Sequence, residues 1–207
     1  MRQITIVDYG SGNVLSAQKA FFKVANECGF EANVLISKNL NDIKNSSHIV
    51  LPGQGAFKTC MNGLKYIPGM IEELYDFAVI KQKPFLGICV GMQMLATDSE
   101  ENGFHKGLDW IHGHIKPFPK NKLKLPHMGW NLVKPIKKNR LINNIIDYYF
   151  VHSYRFECED NENILAETQY GINFTSIIAK ENIYGVQFHP EKSSSQGLNL
   201  IKNFISG

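Results

Sequence analysis

The sequence predicts an α/β protein: an open, mostly parallel sheet flanked by helices, with antiparallel strands added in its second half. Three observations carry this. The first half alternates short apolar runs with amphipathic stretches in βαβα order, which favours parallel strands joined by crossover helices. The second half holds closely spaced strand-like pieces separated by turn residues, the pattern of hairpins. At 207 residues, with 43% hydrophobic and 20% charged residues, the chain has the length and composition for one soluble domain with a sizeable core.

Each element follows from its own stretch. ITIVDYG is a short apolar run that ends in turn residues, so it reads as the first strand. NVLSAQKAFFKVANECG follows with apolar residues at helical spacing and Gly29 as the stop signal. EANVLIS and SHIVLPG read as the next strands, residues 69–81 (GMIEELYDFAVIK) as a helix, and PFLGI as another buried strand. VGMQMLATDS can open a helix directly after it. Between residues 111 and 186, ILAETQY, FTSIIAK and NIYGVQF read as hairpin strands joined to the same sheet. The tail SSSQGLNLIKNFISG reads as a final helix, with serines as caps and Leu198, Ile201 and Phe204 at roughly helical spacing. The sequence has no internal repeat, low-complexity tract or interdomain linker.

Composition excludes several classes of function. The apolar run at the start is too short for a signal peptide, and no run elsewhere is long enough to span a membrane, so a cytoplasmic protein without membrane contact is expected. Cys28, Cys60, Cys89 and Cys158 lie far apart with no CxxC pair. This argues against a disulfide framework or a zinc site and leaves room for one reactive thiol; neither metal nor cofactor is expected. A net charge of +3 is too small to imply nucleic acid. Its distribution says more, because residues 116–140 carry eight Lys or Arg and no Asp or Glu. Such a stretch is either a lysine-rich solvated hairpin or a positive surface for a partner or an anionic ligand.

The chemistry centres on PFLGICVGMQMLA, residues 84–96. In open α/β sheets, ligands sit beyond the carboxyl ends of the strands, and this strand ends at Cys89. Gly-Ile-Cys-Val-Gly is the cysteine version of the Gly-x-Ser-x-Gly nucleophile elbow, in which glycines permit a sharp turn and close backbone approach. A helix starting after Cys89 would favour its thiolate. A glycine-rich turn around an inert buried thiol has the same local pattern, so the nucleophile needs a base to be credible. Six of the seven histidines have no distinctive carboxylate beside them. The seventh, in NIYGVQFHPEKS, does: His189 follows a strand, Pro190 keeps it extended, and Glu191 stands two residues on. In an extended segment those two side chains share a side, so Glu191 can orient the imidazole and stabilise the imidazolium.

GICVGMQ followed by GVQFHPEKS resembles the class I (triad-type) glutamine amidotransferases. DYGSGN at 8–13, LPGQGAF at 51–57, LPHMGWN at 125–131 and YFVHSY at 149–154 narrow the resemblance to the glutaminase subunits of imidazole glycerol phosphate synthase. It runs from residue 4 to the final helix, so residues 1–207 are expected to form one amidotransferase domain. The resemblance implies that Cys89 attacks the side-chain amide of glutamine while His189 passes a proton to the departing ammonia and Glu191 completes the triad. It also implies that Gly53, Gln54 and Gly55, with the amide of Val90, form the oxyanion loop. Gln93 would lie near the substrate, Glu101 would hold its amino group, and His152, Ser153 and Tyr154 would bind the α-carboxylate side, partly through backbone. The family usually has valine where Gln54 stands, which bears on how the loop sits.

The resemblance further implies a partner: a (β/α)₈ cyclase that receives the ammonia and makes imidazole glycerol phosphate and an aminoimidazole carboxamide ribotide in histidine biosynthesis. KLKLPHMGWNLV alternates so that Met128, Trp130 and Leu132 share one strand face. Trp130 is then expected at the interface, with Asn13 and Lys192 as further contacts. Two other readings are open to the sequence: an amidotransferase feeding another synthase, such as one for surface amino sugars, and a non-enzymatic subunit with a degraded site.

Overall fold

The computed structural model describes residues 1–119 and 123–207. β1 (Arg2–Val7) leads through α1 (Val14–Glu27) to β2 (Ala32–Ser37), and the chain returns through α2 (Leu40–Asn45) to β3 (His48–Gly53). α3 (Phe57–Lys65) and α4 (Met70–Tyr75), the latter extended by a π-helical turn over Asp76–Ile80, precede β4 (Phe85–Cys89), which runs straight into α5 (Val90–Gln93). Two short strands, β5 (Asp98–Ser99) and β6 (His105–Lys106), come before β7 (Gly113–Pro117), β8 (His127–Pro135) and β9 (Ile146–His152). Then come β10 (Tyr154–Cys158), β11 (Ile164–Tyr170), β12 (Ile172–Lys180), β13 (Ile183–Val186) and the closing helix α6 (Ser194–Ser206).

The helices form where an apolar stripe can be buried. α1 buries Ala17, Ala20, Phe21 and Val24, which recur at helical spacing, and packs against α6, where Phe21 meets Phe204 edge-on. α2 and α3 are absent from the sequence expectation. α2 has six residues and depends on the side chain of Asn39, which accepts from the Asn41 N–H at 2.9 Å. α3 buries Phe57, Cys60, Met61 and Leu64, a helical stripe that sits directly behind a glycine-rich motif.

The sheet runs β2-β1-β3-β4-β13-β12-β10-β7-β5-β6, with β11, β8 and β9 branching from β12. Its first five strands are parallel. Every residue of β3, β4 and β13 is buried, as expected for strands covered on both faces. β13 departs from the hairpin expectation: it pairs antiparallel with β12 but parallel with β4. A four-residue apolar run carries no periodic signal that separates the two pairings. In register, Gly53 lies opposite Cys89, and Val186 opposite Ile88, so the carboxyl ends of β3, β4 and β13 stand side by side.

β8 and β9 form an antiparallel ribbon from His127↔His152 to Val133↔Ile146. β8 alternates as expected: Met128, Trp130 and Leu132 are exposed, while His127 and Val133 on the other face are buried. Of the basic stretch 116–140, residues 120–122 lie outside the described residues; Lys124, Lys134 and Lys138 are exposed. Among the described residues, no helix is long and apolar enough to cross a membrane.

Candidate active site

β4 ends at Cys89, whose φ of 56° and ψ of −111° are strained for a residue with a side chain. The glycines beside it serve close packing. A Cβ on Gly91 would strike the carbonyl of Leu51, and one on Gly87 would lie 2.5 Å from the Gly91 oxygen. A Cβ on Gly53 would in turn strike the Gly91 nitrogen. Gly53, Gly87 and Gly91 therefore let the ends of β3 and β4 and the start of α5 interlock, while the strained dihedral falls on Cys89 and presents its sulfur.

The helix expected to follow is one turn long. The carbonyls that would extend it are taken by a later segment: Met94, Leu95 and Ala96 accept from the N–H groups of Leu108, Trp110 and Asp109 at 2.8, 3.0 and 3.0 Å. One turn has little macrodipole, so charge at the sulfur must be stabilised by side chains. Gln187 supplies one. Its Nε2 donates toward Cys89 Sγ at 3.8 Å, while the Val151 carbonyl stands 3.9 Å away as acceptor for the thiol. Gln187 is fully buried and is held by Gln93, whose Nε2 donates to Gln187 Oε1 at 3.0 Å and to the Tyr154 carbonyl at 3.3 Å. The sequence reading missed Gln187. The signal was available, because Gln187 lies two residues before His189, the same spacing that pairs His189 with Glu191.

His189 Nδ1 meets Glu191 Oε1 at 2.8 Å, and both side chains are almost wholly buried. Burial alone would lower the His189 pKa. Hydrogen bonding and charge from Cys89 and Glu191 outweigh it and push the pKa up to about 10. The ring thus senses Cys89 strongly, yet Nε2 closes no hydrogen bond of full geometry with any of the described residues. Catalytic hydrogen bonds often tighten only when substrate binds. Ser193 fixes the turn that carries the pair: its hydroxyl donates to the His189 carbonyl at 2.6 Å and accepts from the Tyr149 N–H at 3.0 Å. It stands at the start of α6 without capping it by a side-chain bond, in contrast to the expected serine cap.

The loop after β3 turns at Gly55, where φ is +93°. The Gln54 carbonyl accepts from Ser11 Oγ at 2.7 Å and faces the Cys60 thiol at 3.5 Å. Since C=O and N–H point opposite ways across a trans peptide, the Gly55 N–H is turned away from Ser11. Glu101 Oε2 accepts from the Phe57 N–H at 2.7 Å at the start of α3, so this carboxylate braces the far end of the same loop. It sits just beyond β5.

These groups surround a pocket of about 320 Å³. Its wall includes Cys89, Val90, Gln93 and His189 on one side, Gln54, Gly55 and Glu101 on a second, and Val151, His152, Ser153 and Tyr154 on a third. Gly53 and Glu191 stand behind it, through the Cys89 pairing and the His189 hydrogen bond. His152 Nε2 meets His127 Nδ1 at 2.9 Å, and His152 Nδ1 meets the Tyr154 carbonyl at 2.8 Å. Asn13, Trp130 and Lys192 lie outside the wall; Asn13 precedes α1, and Trp130 is 51% exposed, packing edge-on to Tyr149. A larger cleft of about 500 Å³ between α1 and α6 touches Glu191 but is lined by no cysteine or histidine.

A buried thiol strained at a strand end, an oriented histidine and a glycine-rich loop beside them suit acyl transfer from an amide. The chain matches the family "Glutamine amidotransferase class-I" over residues 5–206. An imidazole glycerol phosphate synthase subunit HisH of Pelagibacter ubique is 45% identical over 208 residues, covering 98% of this chain and 99% of the relative. A subunit of the same description, HisH 2 of Methanococcus maripaludis, is 46% identical over 206 residues, with 98% of each chain covered. Among solved structures, one described as a glutamine amidotransferase superposes with a TM-score of 0.73 at 15% identity, covering 98% of this chain and 97% of the other. A glutamine amidotransferase from Thermotoga maritima gives 0.63 at 17% identity, covering 99% and 83%. These two likenesses bear on the fold.

Proposed function

This chain belongs to the class-I glutamine amidotransferase family, and from that premise we propose that it is the glutaminase subunit of an imidazole glycerol phosphate synthase. The observation that carries the reading is the placing of Cys89 and the His189–Glu191 pair at the adjoining ends of β4 and β13, with Cys89 and His189 in one pocket with Gln54 and Gly55. Residues 1–207 act as one amidotransferase domain, in the cytoplasm, with a (β/α)₈ cyclase as partner.

Cys89 Sγ attacks the side-chain carbonyl carbon of glutamine. The oxygen of the tetrahedral adduct takes hydrogen bonds from the Val90 N–H and from the 53–55 loop. Each such donor is worth about 10²–10³ in rate. The C–N bond breaks as His189 gives its Nε2 proton to the nitrogen, and ammonia leaves. A histidine with its pKa pushed up to about 10 still holds that proton at neutral pH. In the thioester the sulfur is uncharged, so one of the two charges that raised the imidazolium is gone. The neutral ring then takes a proton from water as the water attacks the thioester, releasing glutamate and restoring Sγ. Glu101 holds the substrate amino group, and the 152–154 segment holds its α-carboxylate side. Ammonia passes to the cyclase, which docks over Met128, Trp130 and Leu132 with Asn13 and Lys192 at its edge. There the ammonia enters a phosphoribulosyl-formimino-carboxamide nucleotide, giving imidazole glycerol phosphate and an aminoimidazole carboxamide ribotide.

The test is a glutaminase assay in which the cyclase is titrated in, with and without its nucleotide ligand. The lone chain is expected to be a poor glutaminase whose activity rises by about 10²–10³ in the liganded complex, the worth of one oxyanion donor brought into place. Full activity from the lone chain with no response to the cyclase would overturn the reading.

A further inference from the structure

The two buried histidines beside the pocket form a hydrogen-bonded line in which every proton has a fixed place. It starts at the Tyr154 carbonyl, which can only accept. His152 Nδ1 stands 2.8 Å from it, so Nδ1 carries the hydrogen. Burial pushes the His152 pKa down to about 3, so the ring is neutral and Nε2 is bare. His127 Nδ1 lies 2.9 Å from that bare nitrogen and must donate to it. Burial likewise holds the His127 pKa down to about 4, so its Nε2 is an acceptor, filled by Asn131 Nδ2 at 3.1 Å. Asn131 is itself fixed: Nδ2 also donates to the Gln169 carbonyl at 3.0 Å, and Oδ1 accepts from the Leu132 N–H at 2.8 Å. The His127 ring is clamped between Tyr170 and Phe150, with centroids at 4.0 and 4.8 Å.

Both ends of this line are placed for use. The Tyr154 carbonyl also accepts from Gln93, which holds Gln187 against Cys89 Sγ. At the other end, His127 and Asn131 alternate along β8 with Met128, Trp130 and Leu132, the exposed apolar face. We propose that His127 is a positioning residue: by donating to His152 it fixes the tautomer that holds the 152–154 turn of the pocket, and it ties that turn to the strand on which the partner docks. The docking half of this rests on the function proposed above.

Nitrogen-15 imidazole spectra of the unmodified protein should show His127 and His152 both protonated at Nδ1. Either ring protonated at Nε2 instead overturns the proposal, and these spectra decide it whether or not any variant folds. In the complex with cyclase, His127→Phe keeps the stacking and removes the donor. It should raise the glutamine KM about tenfold with kcat changed less than about twofold. His127→Asn, which returns an N–H near the Nδ1 position, should recover most of the loss. A general loss of fold would lower the active fraction and leave KM alone, and a wild-type KM in His127→Phe would overturn the positioning role. A wild-type complex with no glutaminase activity would fail the functional reading, a result distinct from a wrong tautomer.

Discussion

The parallel strands β3, β4 and β13 are buried along their whole length, whereas β8 shows one apolar face to solvent and turns His127, Asn131 and Val133 the other way. The packed strands and the β8–β9 ribbon each reach one pocket, the first through Cys89 at the end of β4 and the second through Val151 and His152 at the end of β9. On the parallel side, position is enforced by backbone packing so tight that three glycines have no room for a Cβ. Nothing there can shift without breaking the sheet, which suits a nucleophile and a base that must meet within a fraction of an ångström. On the ribbon side, position is held by a line of side-chain hydrogen bonds and by stacked rings. Such contacts adjust at much lower cost than interlocked strands. Reaction chemistry thus sits on the rigid wall, and substrate binding and partner contact on the adjustable one.

The largest effect is expected where the rigid wall loses its nucleophile. Cys89→Ala should lower glutamine-dependent activity by at least about 10⁴-fold, while the cyclase reaction with added ammonium salts continues. A diazo-ketone glutamine analogue, followed by peptide mass mapping, should label Cys89 ahead of Cys60 and Cys158, whose thiols burial pushes up and keeps neutral. Substantial glutaminase activity in the alanine variant would move the nucleophile elsewhere.

Next comes the charge behind the base. Glu191→Gln keeps an acceptor for His189 Nδ1 but removes the carboxylate charge, and should slow glutaminase by about 10²–10⁴-fold. The pH profile gives the sharper reading. Burial favours a low His189 pKa, and hydrogen bonding and charge from Cys89 and Glu191 together carry it to about 10. Without Glu191 the pKa falls, so the protonated ring needed to expel ammonia is lost at lower pH. The alkaline limb of the residual activity should move toward neutrality; a limb that stays where it was would show that Glu191 acts through packing alone.

The difference between the two walls also sets what the sequence made legible. The triad could be read because its spacing is local: a strand end, a glycine on each side of Cys89, and His189 and Glu191 two residues apart on one extended segment. The amphipathic faces of α1 and α6 and the exposed alternation of β8 were local patterns as well. Gln187 was within reach of the same two-residue rule. What stayed hidden depends on partners distant in the chain. α5 stops after one turn because residues 108–110 claim the carbonyls of residues 94–96 that would extend it, β13 pairs in parallel with a strand almost a hundred residues earlier, and Glu101 caps Phe57 across the fold. Apolar runs and acidic clusters look alike whichever distant neighbour they meet.

Glu101 stands where the walls join, and its variants separate two tasks. As the proposed holder of the substrate amino group it acts in ground and transition states alike, so its charge should weigh on KM. As the acceptor for the Phe57 N–H it braces the oxyanion loop, so its hydrogen bond should weigh on kcat. Glu101→Gln keeps an oxygen for Phe57 and loses the charge; KM should rise about tenfold with kcat nearly unchanged. Glu101→Ala loses both and should lower kcat as well. Equal effects from the two variants on both constants would collapse this division.

The smallest effect is expected on the ribbon's outer face, and it tests whether that face is adjustable in the sense argued above. Trp130 is half exposed and meets Tyr149 edge-on, so its removal leaves little cavity in the free chain. Trp130→Ala should therefore leave thermal stability almost unchanged. In the complex, a tryptophan at the centre of an interface is worth about 1–4 kcal/mol, which weakens the cyclase dissociation constant by roughly 5- to 1,000-fold. At saturating cyclase, glutaminase activity should return close to the wild-type value, because the nucleophile and base stand on strands that Trp130 does not touch. Calorimetric titration of the variant with cyclase, paired with the saturated assay, separates docking from catalysis. Unchanged affinity would place the partner on another face, and activity that stays low at saturation would mean that the packed strands feel the ribbon more than their burial implies.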